Sequence, residues 1–255
     1  MIYVQAPYQG LARIYDYLLS GIDYRQWADY MEQLFRYFKI EPCRKILDLA
    51  CGTGNSTFPW AKRGYIACGV DISSEMLIAA RTKAEKMKLK DLRFYCQDLR
   101  TLRLPFCFDV AVLYQDGLNY LLSEEDLKSA FSSIRSVIRP KGYFIFNLNR
   151  VDKLPAGASP EISWLEDEKF TLIWESSLEP GEKIWRIKLT AFIYEGQGLY
   201  SRIQEEHKER SYSPEELEPL LLESGWRLKA SFKAFTMEEP SKDERNIFCV
   251  ACRED

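Results

Sequence analysis

Short apolar runs alternate with segments of helical period through the first 150 residues of this chain. Between the runs, residues 73–87 and 124–138 repeat apolar side chains at helical spacing. The run Phe108–Tyr114 is almost entirely apolar, which is typical of a parallel strand buried on both faces. The runs predicted as strands are 45–50, 65–72, 92–99, 108–114 and 143–149. This alternation predicts an α/β fold.

The pattern changes at Val151, after which strand-like alternation replaces the long helical period. Apolar residues occupy every second position from Trp185 to Ile193, which predicts a sheet with one wet face. A hairpin turn is predicted at Glu195–Gly198. The strands predicted here are 170–174, 184–194 and 199–206. We therefore predict a single domain with an N-terminal helical lid (1–40), a core (41–150), an antiparallel β insertion covering the cleft (151–212) and a C-terminal helix and hairpin (213–255).

Composition and charge disfavour several classes of protein. The 35 basic and 38 acidic residues give a net charge of −3, whereas a nucleic-acid binder normally shows a basic face. No stretch reaches the roughly 18 apolar residues of a membrane span, and Met1–Gln5 does not resemble the start of a signal peptide. We therefore expect a cytoplasmic protein, monomer or homodimer, that binds neither nucleic acid nor membrane.

The seven cysteines stand at irregular spacings, which indicates buried free thiols in a reducing compartment. Cys249 and Cys252 form a CxxC pair, but residues three apart on a strand face opposite ways. With His207 as the single histidine of the sequence, no second pair completes a zinc site. We therefore predict no metal.

The strongest chemical signal is Lys45–Asn55, where a strand-like run ends in the Gly-rich turn Cys51–Gly54. Glycines in such a turn tolerate positive φ and let a ligand approach the backbone. A dinucleotide fingerprint needs a third Gly or Ala where this chain has Thr57. Asp71 ends the next strand, where a carboxylate can accept both ribose hydroxyl protons. NAD enzymes and methyltransferases share that acid, so it supports the fold more than the reaction.

The stretch Leu47–Gly54, LDLACGTG, resembles motif I of the class I S-adenosylmethionine-dependent methyltransferases without a break. The resemblance covers roughly residues 8–150, and the C-terminal third in outline. It implies a Rossmann-like, seven-stranded, mostly parallel sheet flanked by helices, with the antiparallel insertion after strand five. The small-molecule branch is the most similar, namely glycine N-methyltransferase-like and sugar-amine N-methyltransferase enzymes. S-adenosyl-L-methionine is therefore the expected cofactor.

The resemblance also implies which residues bind that cofactor. Aromatic residues of the N-terminal lid resemble those that cover it in small-molecule methyltransferases. Asp71 matches the ribose acid, Met76 is near enough to pack on adenine, and Asp98 matches the acid that accepts from the adenine amino group. The full set expected at the cofactor is Tyr15, Tyr24, Trp27, Asp48, Ala50, Cys51, Gly52, Gly54, Asn55, Asp71, Ile72, Met76, Gln97, Asp98, Leu99, Tyr114, Gln115 and Asn119.

Polar residues crowd directly after the fourth strand, from Gln115 to Tyr120. In an open α/β sheet this carboxyl end lies at the switch in strand order, so we expect the substrate there. The stretch departs from the (D/N)PPY of amino-methylating DNA enzymes, which disfavours nucleobase methylation. Because the methyl donor is already activated, a weak base suffices, and the candidate catalytic residues are His207, Tyr114 and Asp116.

The sequence thus predicts methyl transfer to a small-molecule acceptor by in-line displacement, to nitrogen rather than oxygen. An NAD(P)-linked oxidoreductase on a similar sheet is the first alternative, and Thr57 together with a missing Tyr-xxx-Lys pair counts against it. A non-catalytic cofactor-binding regulator is the second alternative, and it predicts binding without turnover.

Overall fold

A computed structural model of the chain describes residues 7–153, 161–178 and 183–255. Met1–Gln5, considered above for a signal peptide, lies outside the described residues. Across the described ranges, no helix is long and apolar enough to cross a membrane. The strands of these ranges form one seven-stranded and one four-stranded sheet.

The strands follow the order that the sequence pattern predicts, with one addition. In chain order they are β1 (Lys45–Leu49), β2 (Ile66–Asp71), β3 (Arg93–Cys96), β4 (Phe108–Leu113), β5 (Ile138–Asn149), β6 (Glu161–Asp167), β7 (Phe170–Ser177), β8 (Ile184–Gly196), β9 (Leu199–Arg210), β10 (Trp226–Lys233) and β11 (Asn246–Arg253). The addition is β6, whose residues are mostly exposed, so no burial pattern marks it in the sequence.

The larger sheet has the order β10-β11-β5-β4-β1-β2-β3. Strands β1 to β5 pair in parallel, and β11 runs antiparallel to both β5 and β10. The predicted fold class is confirmed: a seven-stranded, mostly parallel sheet with an antiparallel insertion after β5. The strand order reverses between β1 and β4, which leaves a crevice at their carboxyl ends.

Four of the six α-helices within the described ranges start at side chains that cap them. The helices are α1 (Tyr15–Leu18), α2 (Tyr24–Tyr37), α3 (Phe58–Lys62), α4 (Ser74–Lys86), α5 (Glu124–Ser136) and α6 (Pro214–Glu223). Asp23, Ser73, Ser123 and Ser213 each accept a hydrogen bond from a backbone N–H in the first turn of α2, α4, α5 and α6. The cap at Ser73 begins α4 directly after β2, which holds the end of that strand against the crevice.

Successive residues of a central strand point to opposite faces of the sheet, and each face is covered by an apolar layer. Ile46 packs with Met31 of α2, whereas Leu47 packs with Phe131 of α5 and Leu221 of α6. All five side chains are fully buried. Because both faces are covered by helices, the central strands read as continuous apolar runs.

The insertion folds as a four-stranded antiparallel sheet in the order β6-β7-β8-β9. Its apolar face, which includes Leu172 and Ile203, packs on Leu11 and Ile14. Leu11 and Ile14 belong to the N-terminal segment, residues 7–18. The insertion therefore reaches the core through this segment, at the edge where the parallel strands end.

Candidate active site

A cavity of about 390 Å³ opens beyond the carboxyl ends of β1 to β4. Its volume is in the range of small-molecule and cofactor sites. The N-terminal segment supplies Pro7 and Tyr8 to the wall, and the loop after β4 supplies Tyr120 and Leu121. The residues expected at the cofactor that lie on this wall are Tyr15, Ala50, Gly52, Asp71, Ile72, Met76, Gln97, Asp98, Leu99 and Gln115.

The two glycines of the turn after β1 have different tasks. Gly52 lines the cavity with φ +52°, and a Cβ there would lie 3.5 Å from the Tyr15 ring. Gly54 has φ +82°, and a Cβ there would lie 3.0 Å from Phe58 and 3.1 Å from Phe94. Gly52 therefore presents backbone to the cavity, whereas Gly54 lets the turn pack against the protein.

Asp71, at the end of β2, links the Gly-rich turn to the start of α4. Its Oδ2 accepts from Gly52 N and its Oδ1 from Ser73 N, each at 2.8 Å. The residue is 9% exposed, and burial raises the pKa of its carboxyl. Each oxygen keeps a second lone pair, which a ribose hydroxyl can use.

Asp48, within β1, is fully buried beneath the turn. Its Oδ2 accepts from the hydroxyls of Ser56 at 2.7 Å and Thr57 at 2.6 Å. Burial raises the pKa of Asp48 to about 7, and its Oδ1 has no partner among the described residues. An unpaired buried acceptor is costly, and Asp48 itself does not line the cavity.

Asp16 ties the N-terminal segment to the Gly-rich turn. Its Oδ1 accepts from Thr53 Oγ1 at 2.5 Å and Asn55 Nδ2 at 2.9 Å, and its Oδ2 accepts from Lys83 Nζ at 2.6 Å. Asn55 therefore holds the segment in place rather than lining the cavity.

The wall beyond β3 is suited to a flat ring. Ile72, Met76 and Leu99 supply apolar surface. Asp98 accepts from Arg100 Nη2 at 2.6 Å and from Arg100 N at 2.8 Å. The Arg100 side chain lowers the pKa of Asp98, which keeps that carboxylate ionised as an acceptor. This side of the cavity combines apolar contact with an anionic acceptor, as an adenine requires.

A chain of four side chains runs from the insertion to the cavity. His207 Nε2 lies 3.1 Å from Glu205 Oε2, and His207 Nδ1 lies 2.9 Å from Tyr120 Oη. Tyr8 Oη lies 2.6 Å from Tyr120 Oη. The donors are consistent when Tyr8 donates to Tyr120, Tyr120 donates to Nδ1, and the Nε2–H donates to Glu205. His207 is 2% exposed and not the surface residue that its polar neighbours suggest.

Glu205 also holds the N-terminal segment directly. Its carboxylate accepts from the backbone N–H of Tyr8 at 2.7 Å, of Gly10 at 2.7 Å and of Leu11 at 3.0 Å. On the core side, Ser73 Oγ donates to the Tyr8 carbonyl at 2.9 Å. The segment is thus fastened to the insertion on one side and to the core on the other.

Asp116 and Glu209 place two carboxylates near Tyr120. Asp116, with φ +63°, accepts from Asn147 Nδ2 at 3.2 Å and from Asn149 Nδ2 at 3.1 Å. Glu209 is 6% exposed, and its Oε2 has no partner among the described residues. Burial and then the charge of Asp116 raise the pKa of Glu209 to about 8, although the Tyr120 hydroxyl opposes the shift. Burial raises the pKa of Asp116 as well.

Two predicted aromatic residues lie in the core instead of the cavity wall. Tyr114 is 4% exposed and packs edge-on against Trp27, with ring centroids 5.2 Å apart. Trp27 also contacts Phe248 of β11. Because the last residues of β4 continue its alternation, the Tyr114 side chain points to the α2 face and away from the cavity. The structure therefore gives Tyr114 no position from which to act as a base.

Other predicted residues support the site from behind the wall. Tyr24 donates to Gln115 Oε1 at 3.1 Å, and Asn119 Nδ2 donates to the carbonyls of Asn149 at 2.8 Å and Arg210 at 2.7 Å. Some predicted residues do not line the cavity that the described residues form. They are Tyr24, Trp27, Asp48, Cys51, Gly54, Asn55, Tyr114, Asp116, Asn119 and His207.

The site also contains residues that the sequence pattern did not reveal, namely Tyr8, Glu205 and Glu209, whereas Tyr120 lies in the stretch where the substrate was expected. One signal could have found the two acids. The register of β8 and β9 places Glu205 opposite Leu189 and Glu209 opposite Trp185. Residues opposite each other share a face of the sheet. The hairpin turn sets this register, so the acids fall on the face that the alternation of β8 marks as buried.

The strand order, the Gly-rich turn after β1 and the acid at the end of β2 together define a class I methyltransferase site. The family model described as "Methyltransferase domain" matches residues 46–142. The Bacillus subtilis protein named "Putative methyltransferase YqeM" is 32% identical over 96% of this chain and 96% of its own length. The chain belongs to the S-adenosylmethionine-dependent methyltransferase family, and its cofactor is S-adenosylmethionine.

Two further comparisons describe the extent of the likeness. A solved S-adenosylmethionine-dependent methyltransferase from Clostridium acetobutylicum superposes with a TM-score of 0.83, at 28% identity over 96% of this chain and 98% of that one. The dTDP-3-amino-3,4,6-trideoxy-alpha-D-glucopyranose N,N-dimethyltransferase of Streptomyces venezuelae is 30% identical over 52% of this chain and 55% of its own length.

Proposed function

We propose that this chain transfers the methyl group of S-adenosylmethionine to an amine nitrogen of a small molecule. The observation that carries the proposal is the enclosure of Tyr120, which lies on the cofactor cavity between Tyr8 of the N-terminal segment and His207 of the insertion. An enclosed acceptor position favours a small molecule over a polymer. The Streptomyces venezuelae relative, an N,N-dimethyltransferase by name, supports nitrogen as the acceptor atom.

The described residues fit this cofactor. Asp71 offers acceptors for the ribose, and Met76 and Leu99 offer apolar surface for the adenine. S-adenosylmethionine supplies a methyl group that is already activated on a sulfonium, so the acceptor mainly needs orientation and the loss of a proton.

Tyr120 is the residue that we assign to contact with the acceptor. Its hydroxyl donates to His207 Nδ1 and accepts from Tyr8, which leaves one lone pair of the phenolic oxygen to accept a hydrogen bond from an acceptor N–H. Glu205 fixes the tautomer of His207, so His207 acts through Tyr120 as a positioning residue. Asp116 supplies negative charge on the same side, where an amine is more readily held than an anion.

Methyl transfer from radiolabelled S-adenosylmethionine to small amines, each paired with the alcohol of the same carbon skeleton, tests the proposal. We expect labelled amines and unlabelled alcohols. Tyr120→Phe should lower kcat by at least about tenfold, because the hydrogen-bonded oxygen is lost while the ring remains. The control Tyr194→Phe, at an exposed position of β8, should leave kcat unchanged.

Other outcomes would decide between the remaining functions. Transfer to alcohols but not to amines would contradict the nitrogen assignment. Binding of S-adenosylhomocysteine without transfer to any acceptor would favour the regulator, and a partner protein would then be sought. NAD and NADP serve as controls that should not compete for the cavity.

A further inference from the structure

The roles assigned so far leave Glu209 unused. It lies on β9 with its side chain turned into the protein, and it is 6% exposed. Its Oε2 has no hydrogen-bond partner among the described residues. A carboxylate removed from water and left with an unpaired oxygen is costly. Glu209 lies behind Tyr120 rather than on the cavity wall, and its unpaired oxygen is the feature that a ligand reaching past Tyr120 would complete.

The surroundings of Glu209 define the charge of that ligand. The groups that face it are Asp116, Tyr120 and Arg245, and its charge also reaches Tyr8. Arg245 is an exposed residue whose Nε donates to Asn149 Oδ1 at 3.1 Å, so it is only partly available to either acid. With both acids ionised, the negative charge of the pair exceeds the positive charge that faces it.

When no ligand is bound, protonation of Glu209 removes the excess negative charge of the pair. Burial and the nearby Asp116 raise the pKa of Glu209 to about 8, so near neutral pH the acid mostly keeps its proton. A cation that enters the pair would stabilise the ionised form and displace this proton.

We propose that Asp116 and Glu209 form the acceptor subsite for a protonated aliphatic amine, and that Glu209 removes the proton which frees the nitrogen lone pair. This inference rests on the proposed function and adds the substrate class and a residue to it. Amides and aromatic amines, which are neutral near pH 7, would not be recognised as cations at this subsite.

The proton transfer is balanced within the subsite. An ammonium N–H bond breaks, its electron pair stays on nitrogen, and the proton forms an O–H bond on Glu209 Oε2. The charges of the ammonium and the carboxylate are cancelled together. Before binding, the ammonium and the protonated Glu209 together carry two exchangeable acid protons. The bound pair shares only one. The difference, one proton for each amine bound, is released to solvent at a pH below about 8.

Calorimetry on the S-adenosylhomocysteine-bound protein measures this release without any turnover. The probes are cyclohexylammonium and cyclohexanol, which share a ring and differ in charge. Titrations at pH 7 in buffers of different ionisation enthalpy give the protons released per ligand. We expect cyclohexylammonium to bind at least about tenfold more tightly than cyclohexanol, a preference of 1.4 kcal/mol or more. We expect its binding to release close to one proton.

Variants test whether Glu209 and Asp116 cause the proton release and the preference for the ammonium. Glu209→Gln should abolish the proton release and most of the preference for the ammonium, and Asp116→Asn should reduce the preference. The matched control is Glu206→Gln, because Glu206 lies on the same strand but is exposed. It should behave as wild type.

Equal binding of the two probes, no binding of either, or proton release that persists in Glu209→Gln would overturn the inference. None of these results would contradict methyl transfer to nitrogen. A failure to bind S-adenosylhomocysteine in the first place would instead remove the proposed function on which the inference rests.

Discussion

Asp71 shows how a single carboxylate serves fold and cofactor together. It accepts two backbone N–H groups and still has lone pairs for a ribose. A hydrogen bond to a charged group contributes about 1.5–3 kcal/mol. Asp71→Ala should therefore weaken S-adenosylhomocysteine binding by at least about tenfold in calorimetry. The control Asp91→Ala removes an exposed acid before β3 and should bind normally. An unchanged affinity in Asp71→Ala would remove Asp71 from the cofactor site.

A comparison of Gly54 with Gly64 distinguishes the cost of backbone strain from the cost of overpacking. Both have positive φ, at +82° and +84°, but a Cβ meets three side chains at Gly54 and nothing within 4 Å at Gly64. Alanine in the left-handed region costs about 1–2 kcal/mol, and overpacking adds about 1–3 kcal/mol. In urea unfolding, Gly54→Ala should lose more stability than Gly64→Ala. Equal losses would mean that the turn relaxes without cost.

The residues that sequence could predict are those whose role is set by nearby backbone. Gly52 and Asp71 belong to one turn and the strand beside it, so their spacing alone carries the signal. Tyr8 could not be found in this way, since its N–H is held by Glu205, 197 residues further along the chain. Tyr114 looked like a site residue because it ends β4, yet side-chain alternation sends it to the core.

At the scale of elements, the N-terminal segment is the part of the site with the least support of its own. Its only regular structure among residues 7–18 is a 3-10 turn and the four-residue α1. Glu205 supplies acceptors for three of its backbone N–H groups. Glu205→Gln would put an amide donor among these donors, so we expect the segment to loosen.

Limited trypsin digestion and stopped-flow release of S-adenosylhomocysteine measure that loosening. Glu205→Gln should speed cleavage at Arg13, and the ligand should leave several-fold faster because Tyr8 and Tyr15 cover the cavity. Glu206→Gln provides the control on the exposed face of β9. If cleavage and release match wild type, the segment does not depend on Glu205.

The predictability of the elements follows their burial. The strands β1, β2, β4 and β5 were predicted because burial on both faces leaves apolar runs, and α4 because Ser73 caps it. The strand β6 was missed since neither of its faces is covered. The buried face of β9 could not be predicted from the strand alone, because polar residues occupy both sides and leave no apolar alternation to mark it.

At the scale of the whole molecule, the fold was predictable, whereas the acceptor site was predicted only in part, at residues 115–120 and His207. The cofactor half of the cavity is built within residues 50–100, whereas the acceptor half joins residues 7–8, 115–121 and 205–209. Motif spacing describes the first kind of site. The second exists only after the insertion packs on the N-terminal segment.

Between about pH 5 and pH 8.5, the ionisation of Glu209 should lower the stability of the whole chain as pH rises. Its pKa is about 8 in the folded protein against an ordinary value of 4.5, so between these values the folded state binds more protons than the unfolded state. The contribution of protonated Glu209 to the free energy of unfolding is complete below about pH 4.5 and is lost as pH rises through about 8. Asp48, with a pKa of about 7, contributes in the same direction. Asp116 faces Glu209, so the two acids titrate as a pair.

Glu209→Gln removes this part of the pH dependence while Asp48 remains. We expect the melting temperature of the variant minus that of wild type to increase from pH 5 to pH 8.5, by about 2–4 °C for each kcal/mol recovered. Glu206→Gln should show no such trend, because an exposed carboxylate is already hydrated in the folded state. A difference that is constant with pH would mean that Glu209 ionises as readily in the folded chain as in the unfolded one. The charge argument for an amine-binding subsite would then lose its basis, while the fold and the cofactor site would stand.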